Sequence, residues 1–245
     1  PQEKLTPELM EIAPRRLVPV LPEGTDPKAV ELDPRTRMVE LRIGSSWKMV
    51  SRALLKRFPE KVLALRMQAT SGVEKTVLEM LEADIPVVHL EYDEDGREYG
   101  RGQTRHMKES LRAVHTALTA KGVRDRITII AGGGIAAAEH VPKTIVCGAD
   151  LVTVEKALMV ALSCRACPTC TPSDCPASIY LASPEWVQGR VCNMVGAWRD
   201  QMLEMLGAMG IREVRRLRGE VGRAIFYDDI QKELLSTLSG GANHG

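Results

Sequence analysis

The stretch S-C-R-A-C-P-T-C-T-P-S-D-C, residues 163–175, is the most informative part of the chain. It holds four of the six cysteines, Cys164, Cys167, Cys170 and Cys175, in the spacing C-x2-C-x2-C-x4-C. Pro168, Pro172 and Pro176 exclude a helix interior, because proline lacks a backbone donor and clashes with the preceding turn. We therefore predict a folded loop that turns several thiolates toward one centre, as an iron–sulfur cluster requires.

Two other chemistries stay open for this loop. A structural zinc site usually takes its ligands from two separated C-x2-C pairs, and a second pair is missing here. Disulfides suit a small secreted scaffold, whereas this chain has 245 residues and shows no secretory signal. The other two cysteines, Cys147 and Cys192, are expected to be small buried apolar residues.

Composition predicts an ordinary globular protein. The chain is 44% hydrophobic and 27% charged, with a net charge of +1. Because the basic residues are spread along the sequence, we expect no nucleic-acid partner. No apolar run approaches the roughly 20 residues of a membrane span, and we expect a cytoplasmic protein.

Strand and helix patterns alternate along the middle of the chain, which predicts βαβ units and a parallel sheet. The predicted organisation is an extended N-terminal arm (1–37), a partial (β/α) barrel (38–162), the cysteine loop (163–183), C-terminal helices (184–238) and a flexible tail (239–245).

Several polar or glycine residues fall at the predicted ends of strands. In parallel α/β folds the carboxyl ends of the strands form the ligand site. Gly132, Gly133 and Gly134 end a strand and could let backbone N–H groups approach a phosphate, although a tight turn explains them equally well. Arg66 and His89 end two earlier strands, and Glu155 and Lys156 follow a later one.

The order of these features resembles the C-terminal half of the FMN-binding domain of glutamate synthase, a (β/α)8 barrel with an iron–sulfur cluster after its last strand. The matching residues are I-I-A-G-G-G-I-A-A-A-E-H-V-P-K-T-I-V-C-G-A-D-L-V and A-L-M-V-A-L-S-C-R-A-C-P-T-C-T-P-S-D-C-P. The resemblance implies a TIM-barrel-like α/β fold, here partial or reduced.

The resemblance also implies cofactors. Three family cysteines spaced C-x5-C-x4-C hold a [3Fe–4S] cluster, and Cys164, Cys170 and Cys175 match them. Because Cys167 adds a fourth thiol, a [4Fe–4S] cluster is equally compatible. FMN would lie near Arg66, Gly132, Gly133 and Gly134. However, Arg66 stands where the family has lysine, and residues 89–100 replace a glycine-rich phosphate loop.

Residues 1–58 contain only two strand candidates where a full barrel needs about four strands with their helices. We therefore expect another subunit, or another copy of this chain, to complete the barrel, and a redox protein to exchange electrons with the cluster.

Three functions follow. The first is an electron-transfer subunit of a glutamate-synthase-like oxidoreductase, with no catalytic residue identified. The second is a non-catalytic scaffold whose metal loop stabilises the fold and docks a catalytic partner. The third is a small α/β enzyme that acts on a phosphorylated metabolite at residues 132–134.

Overall fold

The computed structural model describes residues 15–167 and 170–220. The predicted tail, the first 14 residues of the arm and the last part of the C-terminal helical region lie outside these ranges.

Six strands form one parallel sheet in which spatial order follows chain order. They are β1 (Val20–Leu21), β2 (Met38–Arg42), β3 (Val62–Gln68), β4 (Val87–Glu91), β5 (Thr128–Gly132) and β6 (Leu151–Val152). In a doubly wound sheet the strand order reverses at a switch point, whereas in a (β/α) barrel each new strand lies beside the previous one. The sequential order therefore confirms the prediction of a partial barrel.

Helices alternate with strands from β2 onward. They are α1 (Trp47–Arg57), α2 (Val73–Glu82), α3 (Met107–Ala120), α4 (His140–Val146), α5 (Lys156–Ala161) and α6 (Pro184–Ala208). Helix α3 begins at a capping box, in which the His106 ring accepts the Lys108 N–H and Glu109 accepts the His106 N–H. The cysteine loop lies between α5 and α6.

The two faces of the sheet differ in chemistry. Alternate strand residues such as Leu41, Leu65 and Leu90 are buried against the helices and form the main core. On the opposite, inner face, Ala64, Val87 and Ile130 form a small apolar layer. Beyond that layer, toward the carboxyl ends of the strands, the inner face becomes charged.

The sheet is open within the described residues, since β1 and β6 are its edges. Apolar side chains are exposed there, with Val20 at 42% and Leu151 at 54% exposure. Helix α6 also buries little of its surface against the rest of the described residues, and Leu206 is the one residue of this helix that is buried. Cys192 lies on this exposed helix and is itself exposed, so the prediction that it is buried was wrong. Cys147 is buried, as predicted.

Within residues 15–167 and 170–220, no helix has both the length and the apolar character needed to cross a bilayer.

His115 on α3 connects the barrel to the segment that follows α6. Its Nδ1 accepts a hydrogen bond from Arg124 Nε at 3.2 Å. A Cβ on Gly148 would lie 2.6 Å from the His115 Cβ, and a Cβ on Gly219 would overlap the ring. Burial and the neighbouring Arg124 and Arg218 charges lower the pKa of His115. The folded protein therefore holds this ring neutral.

We predict that acidification weakens the fold through His115. The unfolded chain binds a proton at the ordinary histidine pKa of about 6.5, before the folded chain does, so the free energy of unfolding falls as pH drops below that value. Urea unfolding between about pH 7 and 5.5 should show this decline. His115→Gln keeps an acceptor for Arg124 and should flatten it. An equal slope in both proteins would contradict the prediction.

Candidate functional site

A network of ion pairs occupies the inner face at the carboxyl ends of the strands. Arg66 lies 3.2 Å from Glu40 and 2.5 Å from Glu91, measured between guanidinium nitrogen and carboxylate oxygen. Arg42 contacts the other oxygen of Glu91 at 2.9 Å. Arg66 therefore does lie at the predicted rim, but its charge is satisfied by two carboxylates of this chain.

His89 is buried beside the same network. Its Nδ1 lies 2.9 Å from Glu40 Oε1, and its Nε2 lies 3.4 Å from the Thr153 hydroxyl. Burial raises the pKa of Glu40, but its hydrogen bond to His89 and the charge of Arg66 outweigh burial, so the pKa is lowered overall. Glu40 is therefore held as a carboxylate that orients the imidazole.

The three consecutive glycines that begin at the last residue of β5 are explained by close contacts. A side chain at Gly132 would overlap the Thr153 hydroxyl, and one at Gly133 would overlap the Tyr92 carbonyl. At Gly134, where φ is +67°, a Cβ would lie 2.6 Å from the Gly96 nitrogen. Gly133 and Gly134 let the loop after β5 pack directly on the loop after β4, and Gly132 lets β5 approach Thr153, which follows β6.

The loop after β4 is braced by buried polar contacts. Glu98 is 3% exposed and accepts hydrogen bonds from Ser110 at 2.7 Å and from Arg105 at 2.6 Å. Arg105 also binds Glu74, and Ser110 accepts a hydrogen bond from Tyr92. The segment that replaces the family's glycine-rich loop is thus a rigid structure of its own.

A cavity of about 250 Å³ opens at the barrel mouth beside Gly133 and Gly134. The charged groups on its lining are Asp93, Glu94, Glu155 and Lys156. Lys156 already pairs with Glu94 at 2.7 Å. This pair compensates Glu94, and Glu155 lies 3.8 Å from Arg66. With three carboxylates and one lysine, the lining still has a net negative charge, which is electrostatically unfavourable for a phosphate.

The cysteine loop places its four thiols at the surface, with Cys167 and Cys170 exposed and Cys164 and Cys175 half-buried. Within residues 15–167 and 170–220, no three His, Cys, Asp or Glu side chains are grouped closely enough to hold a metal ion. The cluster ligands therefore stay a prediction.

Two of these sulfurs receive backbone hydrogen bonds. The Ala166 N–H lies 3.4 Å from Cys164 Sγ. Around Cys175, the backbone N–H groups of Ile179 and Ala177 lower the pKa of the thiol. The lowered pKa favours the thiolate of Cys175, which is the form that binds metals.

The sequence reasoning missed Glu40 and Glu91. A glutamate inside the apolar strand M-V-E-L-R is a signal that could have revealed the first, because a buried strand carries a charge only when a partner neutralises it. The pairing of Glu40 with Arg66 depends on strand register, which the sequence alone did not supply.

We predict that Arg66→Met destabilises the fold by about 3 kcal/mol, because it leaves two largely buried carboxylates without their shared partner. Arg42→Met is the matched control, and since the Arg42 side chain is 45% exposed, we expect a loss under about 1 kcal/mol. Urea unfolding of both variants measures the difference.

The deficit of Arg66→Met should shrink as pH falls below about 4.5, where Glu40 and Glu91 begin to protonate in the unfolded chain. Their pKa values are lowered in the folded wild type, so its advantage is present above that pH and is lost on acidification. Equal stability of the two variants at pH 7 would show that Arg66 does not hold the network together.

Comparisons with known proteins find sequence similarity to glutamate synthases. A family profile described as "Conserved region in glutamate synthase" matches residues 106–212. An archaeal NADPH glutamate synthase from Methanocaldococcus jannaschii is 39% identical over 142 residues, which are 54% of this chain and 28% of that protein. One from Archaeoglobus fulgidus is 29% identical over 201 residues, which are 74% of this chain and 39% of that protein.

Among solved structures, a mutant flavocytochrome b2 with pyruvate bound is similar at a TM-score of 0.49 and 15% identity, with 86% of this chain and 54% of that chain covered. The chain spans well under half the length of the two glutamate synthases. The resemblance expected from the sequence is confirmed: part of this chain is similar to part of the glutamate synthases.

Proposed function

We propose that this chain is an iron–sulfur electron-transfer subunit or domain of a glutamate-synthase-like oxidoreductase. The proposal rests on four cysteines that lie inside the region matched to glutamate synthase. They fall on a stretch of 12 residues and are Cys164, Cys167, Cys170 and Cys175. Thiolates at this density, in a loop interrupted by prolines, are the usual ligands of such clusters.

The loop is chemically suited to hold a cluster. Four thiolates complete a [4Fe–4S] cubane, whereas the three that match the family's spacing are enough for [3Fe–4S]. The backbone N–H groups around Cys175 lower the pKa of its thiol and favour the thiolate form, and Cys164 Sγ accepts a hydrogen bond from the Ala166 N–H. Because metal binding supplies free energy for folding, it would draw the surface thiols together. The cluster supplies single-electron chemistry, and the loop supplies ligation and hydrogen bonds to sulfur.

FMN, the flavin implied by the resemblance, does not fit the side chains at the mouth of this chain. The cavity of about 250 Å³ is smaller than the roughly 300 to 1,000 Å³ typical of small-molecule sites, and three carboxylates line it. Arg66, the predicted flavin contact, is neutralised by Glu40 and Glu91. We therefore derive no step through FMN and propose that the electron partner of the cluster lies on another polypeptide.

An open sheet supports such a partner. The edges of the sheet and the long helix α6 expose apolar side chains, among them Leu151, Val195 and Leu203. Edge strands and apolar surface of this kind are normally covered. We propose that a second polypeptide, or a second copy of the chain, completes the barrel.

The scaffold function is the second candidate. The ion pairs on the inner face favour it, because Arg66, the predicted flavin contact, already pairs with Glu40 and Glu91 of the same chain. It predicts a zinc-bound or metal-free loop that docks a catalytic partner.

Metal and sulfide analysis separates the two functions. Protein purified without oxygen should contain about three or four iron atoms with matching acid-labile sulfide per chain, and a broad absorption band in the visible range. Cys170→Ser should lose most of the iron and the band. Cys192→Ser is the matched control, because Cys192 is also exposed but lies on α6, outside the loop.

Iron in the control but not in Cys170→Ser supports the electron-transfer function. Colourless protein with one zinc per chain, or with no metal, contradicts it and leaves the scaffold. Flavin released by acid and counted in the same samples should be absent from this chain alone.

A further inference from the structure

A buried imidazole behind the barrel mouth has a carboxylate on one side and a hydroxyl on the other. His89 is 3% exposed, and its Nδ1 lies 2.9 Å from Glu40 Oε1. Its Nε2 lies 3.4 Å from the hydroxyl oxygen of Thr153. Thr153 lines the mouth cavity, which is the cavity of about 250 Å³ beside Gly133 and Gly134. A hydrogen-bonded line of three side chains therefore runs from the inner face of the sheet to the cavity.

Two small residues make room for this line. Glu40 lies on β2 and His89 on β4, so their contact crosses β3, where the residue beside Glu40 is Ala64. The side chain of Ala64 is small enough for the two partners to meet over it. At Gly132, a Cβ would overlap the Thr153 hydroxyl. A glycine at this position therefore lets the hydroxyl approach the imidazole.

The charge on Glu40 fixes which nitrogen of His89 carries the hydrogen. Burial raises the pKa of Glu40, but its contacts with His89 and Arg66 lower it overall, so the group is a carboxylate. Because a carboxylate only accepts hydrogen bonds, His89 Nδ1 is the donor. The neutral ring then has its lone pair at Nε2, on the side of the Thr153 hydroxyl. A nucleophile, a base and a group that orients the base are arranged in this way in enzymes that form acyl intermediates.

The lining of the mouth cavity favours positive charge. It has one cation, Lys156, which pairs with Glu94, against the carboxylates of Asp93, Glu94 and Glu155. Tyr99 also lines the cavity, and the face of an aromatic ring attracts a cation. A molecule that reaches the hydroxyl through this lining is therefore favoured when it is small and positively charged.

We propose that Thr153 is a nucleophile, with His89 as its general base and Glu40 as the group that orients His89, and that this site hydrolyses small, positively charged esters. Thr153 Oγ1 attacks the carbonyl carbon of the ester, and its proton passes to His89 Nε2. The bond between that carbon and the alcohol oxygen breaks, and the alcohol leaves with the proton.

Water completes the reaction. It gives a proton to His89 and its oxygen to the acyl carbon, the acid is released, and the Thr153 oxygen takes the proton back from His89. These steps use water and side chains outside the cysteine loop, so the activity does not depend on the cluster.

Two p-nitrophenyl esters test the proposal, because each releases a coloured alcohol. One is the ester of γ-trimethylammonium butyric acid, and the other is its neutral isostere, in which carbon replaces the charged nitrogen. The cationic ester should react at least about tenfold faster, since the acidic lining concentrates cations. Peptide mass spectrometry should find its acyl group on Thr153.

Three threonine variants locate the reaction. Thr153→Val removes the hydroxyl at nearly constant size and should lose most of the release of p-nitrophenol, whereas Thr153→Ser keeps a hydroxyl beside His89 and should retain it. Thr128→Val is the matched control, because Thr128 begins β5 at the opposite end of the sheet. The exposed thiols also accept acyl groups, but they are present in every variant, so the loss in Thr153→Val measures the contribution of Thr153 alone.

Thr153→Val that reacts as fast as the wild type would overturn the proposal. So would acyl groups found on cysteines and never on Thr153, or equal rates for the cationic and neutral esters. Because iron-free protein serves in this assay as well as iron-loaded protein, failure here is distinguishable from failure of the cluster assignment.

Discussion

Neutralisation of charge on the inner face is the constraint on which the barrel mouth depends. Arg66 lies between Glu40 and Glu91, and these residues come from three adjacent strands, so the ion pairs cross the inner face of the sheet. Removing two carboxylates from water is costly unless a cation compensates them. The same requirement holds His89 in place, because Glu40 serves both partners. A flavin at this position would have to displace contacts that the fold already uses.

The contact between the loops after β4 and β5 is the second determinant. Gly133 and Gly134 allow these two backbones to touch, and residues 133–135 line a cavity on each side of the contact. The mouth cavity is lined mainly by carboxylates. The loop after β4, which is braced at Glu98, packs against Gly133 and Gly134 where a conventional phosphate-binding loop would leave glycines open to a ligand.

The sequence predicted the architecture better than the site. Alternating strand and helix patterns indicated the parallel sheet, and the spacing of residues 163–175 located the cysteine loop between α5 and α6. Glu40 could not be paired with Arg66 from sequence, because their contact requires the register of β2 and β3. Cys192 was expected to be buried because helical spacing does not reveal that α6 lacks a partner within the described residues. Burial on a helix depends on its neighbours, which the local pattern does not encode.

The central claim is that four thiolates from one short loop surround inorganic iron. X-ray absorption at the iron edge of protein purified without oxygen tests it most directly, because scattering from neighbouring atoms identifies both the ligands and nearby metals. We expect a first shell of sulfur alone and a second shell of iron. A first shell of nitrogen or oxygen, or an iron atom without iron neighbours, would contradict a cluster held by Cys164, Cys167, Cys170 and Cys175.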